Sequence, residues 1–195
     1  GCPVSRGADS VPMLIRHIVW ILCVAAWTGC SSQTAIVNSL PRDAKSLADL
    51  LNDYRIKNGL PPIRSSVSLT HVATAHVTDL QNHFEKGKLC NLHSWSSHGS
   101  WTPCCYTGEQ VQCMWNKPRE ITKYKADGYE ITVSAFTTAR PDAMTPWLAV
   151  DRWAHSDPHR AVILNEGQWA NFPWKAMGAA ESDNYASAWF GQEAD

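Results

Sequence analysis

The sequence predicts an α+β fold, in which a small antiparallel sheet lies between helical layers. Three observations support this fold class: two amphipathic helical patterns come first, one alternating strand pattern lies near the middle, and a helix precedes a closing hairpin. The chain has 195 residues, of which 44% are hydrophobic and 18% are charged. This composition is typical of a globular protein. Without a repeat or a second core pattern, one domain preceded by a leader is expected.

The first 29 residues are predicted to be a leader with a signal peptide. Arg16 and His17 precede the apolar stretch "IVWILCVAAW", and Met13 is the expected start. A run of about ten apolar residues suits the core of a signal peptide, whereas a membrane-spanning helix needs about 20. A buried helix is the alternative interpretation of this stretch.

The stretch "WTGC" resembles a bacterial lipobox, in which Cys30 would become the lipidated first residue of the mature protein. Trp27 stands where a lipobox usually has an aliphatic residue, so secretion with cleavage nearby is the alternative. Residues 30–42 are predicted to be a tether, and residues 43–195 to be the folded domain. The expected location is the bacterial cell envelope, as a lipid-anchored protein, or the medium.

Two amphipathic helices are predicted at the start of this domain, over residues 43–58 and 68–86. Gly59 follows the first helix and Gly87 the second, as expected for helix ends. His76 lies on the apolar face of the second helix. We interpret it as a packed histidine that is hydrogen-bonded to a neighbour.

The second half of the domain is predicted to contain one strand, two helices and a hairpin. In the strand "GYEITVSAFT" the alternation places Glu130 on the face opposite Ile131. Thr145 and Pro146 open a helix whose inward residues are expected to be Trp147, Val150, Trp153 and Ala154. A short helix restarts at Asp157 and Pro158, and "WKAMGAA" and "YASAWFGQ" form the terminal hairpin. His155 is expected at the surface, and Arg160 is expected to pair with Asp157.

Four cysteines follow the leader, namely Cys90, Cys104, Cys105 and Cys113. An even number in an exported chain predicts two disulfides, which staple an irregular loop over residues 88–127. A bond between the adjacent Cys104 and Cys105 needs a strained ring, so each is expected to pair with Cys90 or Cys113, in either combination. A zinc cluster is the alternative, but no cysteine pair has the two-residue gap of a zinc knuckle.

Charge and aromatic content indicate what the domain binds. The 17 basic and 18 acidic residues nearly balance, and the sequence contains no run of lysine and arginine. Both observations argue against a nucleic-acid partner. The chain has ten tryptophans. Three of them lie in the stapled loop and are interpreted as a ligand surface that stacks on sugars or binds a lipid, namely Trp95, Trp101 and Trp115. The alternative is that these large side chains build a small local core, which a loop-rich segment needs. Four others are expected in the main core, namely Trp147, Trp153, Trp174 and Trp189.

Several motifs together resemble a known family. They are "LLNDYRIKNGLPPI", "LHSW", "GYEIT", "WAHSDPHRAVILN", "AMG" and "YASAWFG", in this order over roughly Leu47 to Gly191. They resemble the bacterial form of the CAP superfamily, which comprises cysteine-rich secretory proteins, antigen 5 and pathogenesis-related proteins and is built on the SCP domain. The resemblance implies a three-layer αβα sandwich with a central cleft. Its cleft residues correspond here to His93, Glu130 and His159, while the fourth, acidic position falls on Ser156.

Two neutral imidazoles and one carboxylate are the ligand set of an open zinc site. Zinc is therefore a possible cofactor, held by His93, Glu130 and His159. The alternative is a polar cleft in which Glu130 orients one of the two histidines by hydrogen bonding. The expected function is a non-enzymatic envelope or extracellular binding module for a glycan, peptide or lipid. A hydrolase that uses metal-bound water is the second hypothesis.

Overall fold

A computed structural model describes residues 45–136 and 143–195, all of which belong to one compact unit, Leu40–Asp195. The predicted leader, the lipidation site Cys30, the tether of residues 30–42 and the start of the domain at residue 43 all lie outside the described residues. Within the described ranges, every helix is too short or too polar to cross a bilayer.

The first two helices confirm the amphipathic patterns. α1 spans Leu47–Lys57, where the Ser46 side chain and Asp49 form a capping box, and α2 spans Val67–His83, where the Ser66 hydroxyl accepts from the amide of Leu69. The later helices are α3 (Val111–Trp115), α4 (Lys117–Ile121), α5 (Pro146–Ala154) and α6 (Asp157–Leu164). As predicted, the Thr145 side chain caps α5.

Three strands form one antiparallel sheet. They are β1 (Tyr129–Ser134), β2 (Ala176–Glu181) and β3 (Tyr185–Gly191), in the order β1-β3-β2. β2 and β3 are the predicted hairpin. In the register Glu130 pairs with Trp189 and Thr132 with Ser187, so these four side chains share one face of the sheet.

Helices cover both faces of the sheet, which confirms the three-layer αβα arrangement. α2 packs on β2 and β3, whereas α1, α5 and α6 pack against one another on the opposite face. A Cβ atom on Gly178 of β2 would lie 2.0 Å from the backbone nitrogen of Thr70 in α2. The helix therefore approaches the sheet backbone directly at this glycine.

Three of the four tryptophans predicted for the core are buried, but Trp147 is 68% exposed and the prediction was wrong for this residue. The inner face of α5 is set by Ala149, Val150 and Trp153, all of which are buried. At 3.6 residues per turn, Trp147 lies roughly 110° away from the centre of that face. It therefore projects from the side of the helix.

Two disulfides staple the loop between α2 and β1, as predicted. They join Cys90 to Cys105 and Cys104 to Cys113, which settles the pairing that the spacing left open. Main-chain hydrogen bonds between Trp95 and Cys104, at 2.8 and 3.0 Å, tie the same loop together. The loop also contains α3 and α4, two short helices that the sequence pattern did not predict.

Candidate functional site

A cavity of about 530 Å³ lies beside β1, the strand at one edge of the sheet. The stapled loop provides one wall through Tyr106 and α3, and α6 with the turn that follows provides the other. Its lining residues are His93, Tyr106, Val111, Met114, Trp115, Glu130, Ile131, Pro158, His159, Val162, Gln168, Trp169 and Phe172. This volume and the largely apolar, aromatic lining are typical of small-molecule sites.

The structure brings the three predicted site residues, His93, Glu130 and His159, to this one cavity. His93 lies in a turn of the stapled loop, where its amide donates to the side chain of Asn91 at 2.9 Å. Glu130 is the second residue of β1. His159 is the third residue of α6, so the proline before it belongs to the first helical turn.

Glu130 is the centre of a buried hydrogen-bond network. Its Oε2 atom lies 2.8 Å from Nδ1 of His93, and Oε1 accepts from the hydroxyl of Ser187 at 2.6 Å and also contacts Nδ1 of His76. Its side chain is fully buried. Burial alone would raise the pKa of Glu130, but the charge and hydrogen bond of His76, and then those of His93, lower it to about 2. The carboxyl group is therefore ionised at neutral pH.

His76 is the member of this network that the motifs did not identify. It is buried in α2, its Nε2 lies 3.1 Å from the carbonyl oxygen of Ser94, and its ring stacks on Trp95 with 4.4 Å between the centroids. The prediction of a packed, hydrogen-bonded histidine is confirmed. Its partner Glu130 lies 54 residues away, and helical periodicity carries no information on such a contact. Ser187 was missed for the same reason.

His159 is a neutral imidazole at neutral pH. Its pKa is lowered to about 4, mainly by burial and then by the charge of a protonated His93, while the charge of Glu130 partly offsets both effects. A neutral ring presents one donor and one acceptor to the cavity. No hydrogen bond of this ring is found among the described residues.

The geometry of Glu130 does not fit the predicted zinc site. Both carboxylate oxygens already contact hydrogen-bond donors. Within residues 45–136 and 143–195, no group of three or more His, Cys, Asp or Glu side chains is placed to hold a metal ion. Glu130 fits instead as the group that orients His93, while zinc binding itself stays a prediction.

The three loop tryptophans differ in exposure. Trp115 lines the cavity, and Trp101 is half-buried, with its indole N–H donating to the carbonyl of Ser96 at 2.8 Å. Trp95 is only 2% exposed, so its prediction as a ligand surface was wrong. Its ring stacks on His76 and packs in the buried cluster under the loop.

Two further predictions concerned the "WAHSDPHR" motif, at His155 and Arg160, and the structure confirms both. The side chain of His155 is 79% exposed and lies outside the cavity lining. Arg160 pairs with Asp157 at 2.7 Å, and also with Glu166 at 3.3 Å. Only His159 of this motif contributes to the cavity as a polar side chain.

Comparison with known proteins finds no matching family model and no matching curated protein. Among solved structures, the chain is similar to a cysteine-rich secretory protein from Staphylococcus aureus, with 18% identity, a TM-score of 0.46, and coverage of 75% of this chain and 37% of that protein. It is also similar to an extracellular protein containing an SCP domain from Bacillus anthracis, with 18% identity, a TM-score of 0.47, and coverage of 75% and 39%. A third is an outer surface protein from Borrelia burgdorferi, with 16% identity, a TM-score of 0.46, and coverage of 74% and 88%.

The chain thus spans less than half the length of the first two solved proteins. Their descriptions name the family that the sequence motifs resemble.

Proposed function

We propose that this chain is an exported domain of the CAP type, whose cavity binds a small envelope or extracellular ligand without chemical conversion. The supporting observation is the cavity itself, which combines aromatic walls with two imidazoles at its polar part. Aromatic rings such as Trp115 and Trp169 offer flat apolar contact area. His93 and His159 offer hydrogen bonds that fix the orientation of a bound molecule.

Binding is favoured over catalysis by the state of Glu130. A general base needs an oxygen that can reach and accept a proton from the reacting group. Both oxygens of Glu130 are held by donors from the protein, and its pKa of about 2 makes it a weak base. His159, with a pKa of about 4, is also a weak base at neutral pH. The site is therefore better suited to hydrogen bonding than to proton transfer.

The test is isothermal titration calorimetry with three soluble probes: a peptidoglycan disaccharide, a short peptide and a lysophospholipid below its critical micelle concentration. We expect one probe to bind, with affinity reduced at least about tenfold in Trp169→Ala and His159→Ala, which is the effect of losing about 1.4 kcal/mol. His155→Ala is the matched control, because this histidine is exposed outside the cavity. Equal affinities in all variants, or binding of none of the probes, would refute the cavity as the binding site.

The alternative of a metal-dependent hydrolase is tested by metal content. Purified wild-type protein and His159→Ala are dialysed in metal-free buffer and analysed for zinc per chain by mass spectrometry. One zinc ion per wild-type chain that is absent from the variant would support the alternative. A wild-type protein without zinc would remove it.

The proposed lipid anchor is tested separately, through Cys30. Expressed from Met13 in a bacterial host, the Cys30→Ser variant is expected to leave the membrane fraction, because one lipidated residue is then lost. The readout is fractionation followed by detection of the folded domain. If the variant remains in the membrane fraction as the wild type does, the lipobox prediction is wrong.

A further inference from the structure

We infer that the cavity binds an extended peptide, which adds to the open edge of β1 as a further antiparallel strand and exchanges two main-chain hydrogen bonds with Glu130. This choice of ligand rests on the proposed binding function. It depends on the main chain of β1 and not on the charge of any side chain.

The main chain of β1 presents its hydrogen-bonding groups alternately to β3 and to the open edge of the sheet. The amide of Ala135, just after the strand, donates to the carbonyl of Asn184 at 2.7 Å, so Ala135 faces the side of β3. By alternation Ile131 also bonds to β3. Glu130 and Thr132 therefore present their amide N–H and carbonyl groups to the open edge.

The protein covers both ends of this edge with groups of its own. At the start of the strand, the amide of Gly128 donates to the carbonyl of Trp115 at 3.0 Å. At its end, the guanidinium of Arg152 donates to the carbonyl of Ser134. Both contacts agree with the alternation, because Gly128 and Ser134 are outward-facing positions. Between these ends, the amide and the carbonyl of Glu130 have no partner among the described residues.

The surface that Glu130 contributes to the cavity is its main chain. The residue as a whole is 7% exposed, whereas its side chain is 0% exposed. The accessible area therefore belongs to the backbone of a residue that lines the cavity. Main-chain donors and acceptors at such depth are costly unless they are paired. A ligand with both a donor and an acceptor would satisfy them.

The opposite edge of the sheet is already paired in this way. Residues 64–66 run beside β2, where the amide of Ser66 donates to the carbonyl of Met177 at 2.9 Å. The amide of Met177 donates in turn to the carbonyl of Arg64, also at 2.9 Å. The described chain thus pairs the edge at β2 with its own backbone and leaves part of the edge at β1 to the cavity. An unpaired edge is a template for an added strand.

The pairing geometry favours a peptide over a sugar or a lipid. In an antiparallel pair, two opposite residues exchange both of their main-chain hydrogen bonds. One peptide residue opposite Glu130 therefore satisfies its donor and its acceptor together. A sugar offers hydroxyl groups without this fixed spacing, and an acyl chain offers neither a donor nor an acceptor.

The walls of the cavity predict which side chains the peptide carries. Side chains of opposite residues lie on the same face of a sheet. The residue opposite Glu130 therefore faces the stapled loop, where His93 and Tyr106 line the cavity. The next residue faces the side of Tyr129, whose ring contacts that of Trp169 with 5.4 Å between centroids. A polar residue followed by an aromatic one fits these two walls.

Amide hydrogen exchange tests the open edge without any ligand. Followed by NMR of the protein in deuterium oxide, the amide of Glu130 is expected to exchange at least about tenfold faster than that of Ile131, which is bonded to β3. Equal protection of the two amides would overturn the inference.

The binding test uses the peptide acetyl-Ala-Val-Ser-Phe-Ala-amide in calorimetry, together with two N-methylated versions. Methylation at the serine removes the N–H that donates to the carbonyl of Glu130, and we expect it to weaken binding at least about tenfold. Methylation at the phenylalanine is the matched control. Its N–H points away from β1, so the affinity should change by less than about threefold.

The unmodified peptide should also slow the exchange of the Glu130 amide. Equal effects of the two methyl groups would contradict the strand pairing, and so would a peptide with a Kd weaker than about 1 mM.

These readouts separate the two proposals. If the peptide fails while the disaccharide or the lysophospholipid binds and is sensitive to Trp169→Ala, the proposed function stands and the pairing with β1 is refuted. Failure of every probe would refute both proposals.

Discussion

At the scale of single residues, one carboxylate organises the site. Glu130 accepts contacts from α2, from the stapled loop and from β3, so three separate parts of the chain meet at its two oxygens. A fully buried charge is costly unless it is paired and hydrogen-bonded. The network around Glu130 therefore holds these three parts of the chain together and also contributes Glu130 and His93 to the cavity lining.

Replacing Glu130 by glutamine should be strongly destabilising. Glutamine removes the charge that three buried contacts share and sets an amide NH2 group against some of them, so buried polar groups lose their partners, at about 1–3 kcal/mol for each group. Ser187→Ala removes one hydrogen bond to the same charged group and should cost less, about 1.5–3 kcal/mol. Urea unfolding of the two variants and the wild type measures both effects. Equal stability of Glu130→Gln and wild type would contradict a stabilising role of this network.

The pH dependence of stability should carry the signature of His159. Its pKa is about 4 in the folded protein and near 6.5 in the unfolded chain, so the unfolded chain binds the proton first as pH falls. Its contribution to stability is therefore intact above pH 6.5 and is lost as pH falls towards 4. Glu130 adds a second loss between pH 4.5 and about 2.

Urea unfolding at several pH values between 7 and 4.5 checks this effect of His159. The wild type should lose stability across this range, and the His159→Gln protein should lose much less. His155→Gln, at an exposed position, is the control and should behave as the wild type does. A His159→Gln protein with the wild-type pH profile would show that this histidine is not protonated on unfolding.

At the scale of elements, the sequence predicted those helices and strands that have a regular apolar pattern. α1, α2, β1 and the β2–β3 hairpin were predicted because packing on a flat sheet forces a period of 3.6 or 2 on their sequences. α3 and α4 contain five residues each, fewer than two turns, so no period could show. Apolar periodicity failed for Trp147 of α5. This large apolar residue lies on the flank of the helix and is exposed, so its residue type alone gave the wrong prediction.

The contact between α2 and β2 should be sensitive to one added methyl group. Gly178→Ala would bring a Cβ atom to 2.0 Å from the Thr70 nitrogen and 2.2 Å from the Leu69 carbonyl carbon. Both are backbone atoms of a helix and cannot move alone. We expect a loss of at least about 3 kcal/mol, at the upper end of overpacking costs.

Chemical unfolding of Gly178→Ala measures this loss. Lys175→Ala is the control, because Lys175 is exposed just before the same strand and its substitution should change stability by less than about 0.5 kcal/mol. A Gly178→Ala protein as stable as the wild type would mean that α2 lies farther from the sheet than the structure has it.

At the scale of the whole molecule, the cavity exists because two distant segments meet over the edge of the sheet. The stapled loop contributes His93, Tyr106 and α3, and α6 contributes His159. The family resemblance predicted that His93, Glu130 and His159 share a cleft, and the structure places all three there. Neither spacing nor composition could predict that Glu130 would have both oxygens occupied, since this depends on the packing of α2 and on the strand register.

Removing the disulfide between Cys90 and Cys105 should lower the free energy of unfolding measurably. Cys90 and Cys105 close a loop with a sequence separation of 15, for which the chain-entropy model gives about 3 kcal/mol. We expect the double variant Cys90→Ser, Cys105→Ser to lose about 2–4 kcal/mol in urea unfolding. It should keep the far-ultraviolet circular dichroism of the wild type, because neither cysteine lies in a helix or strand. A change of less than 1 kcal/mol would mean that the loop is held by its other contacts.

The placement of the tryptophans has a practical consequence for measurement. Trp115 and Trp169 line the cavity, whereas Trp153 and Trp189 are sealed in the interior and Trp147 stands in solvent. A molecule entering the cavity displaces water from two of these indoles and leaves the environment of the other three unchanged. The intrinsic emission of the unlabelled protein should therefore report occupancy as a shift to shorter wavelength, and replacing Trp147 by phenylalanine should remove the contribution of one exposed indole that binding does not change.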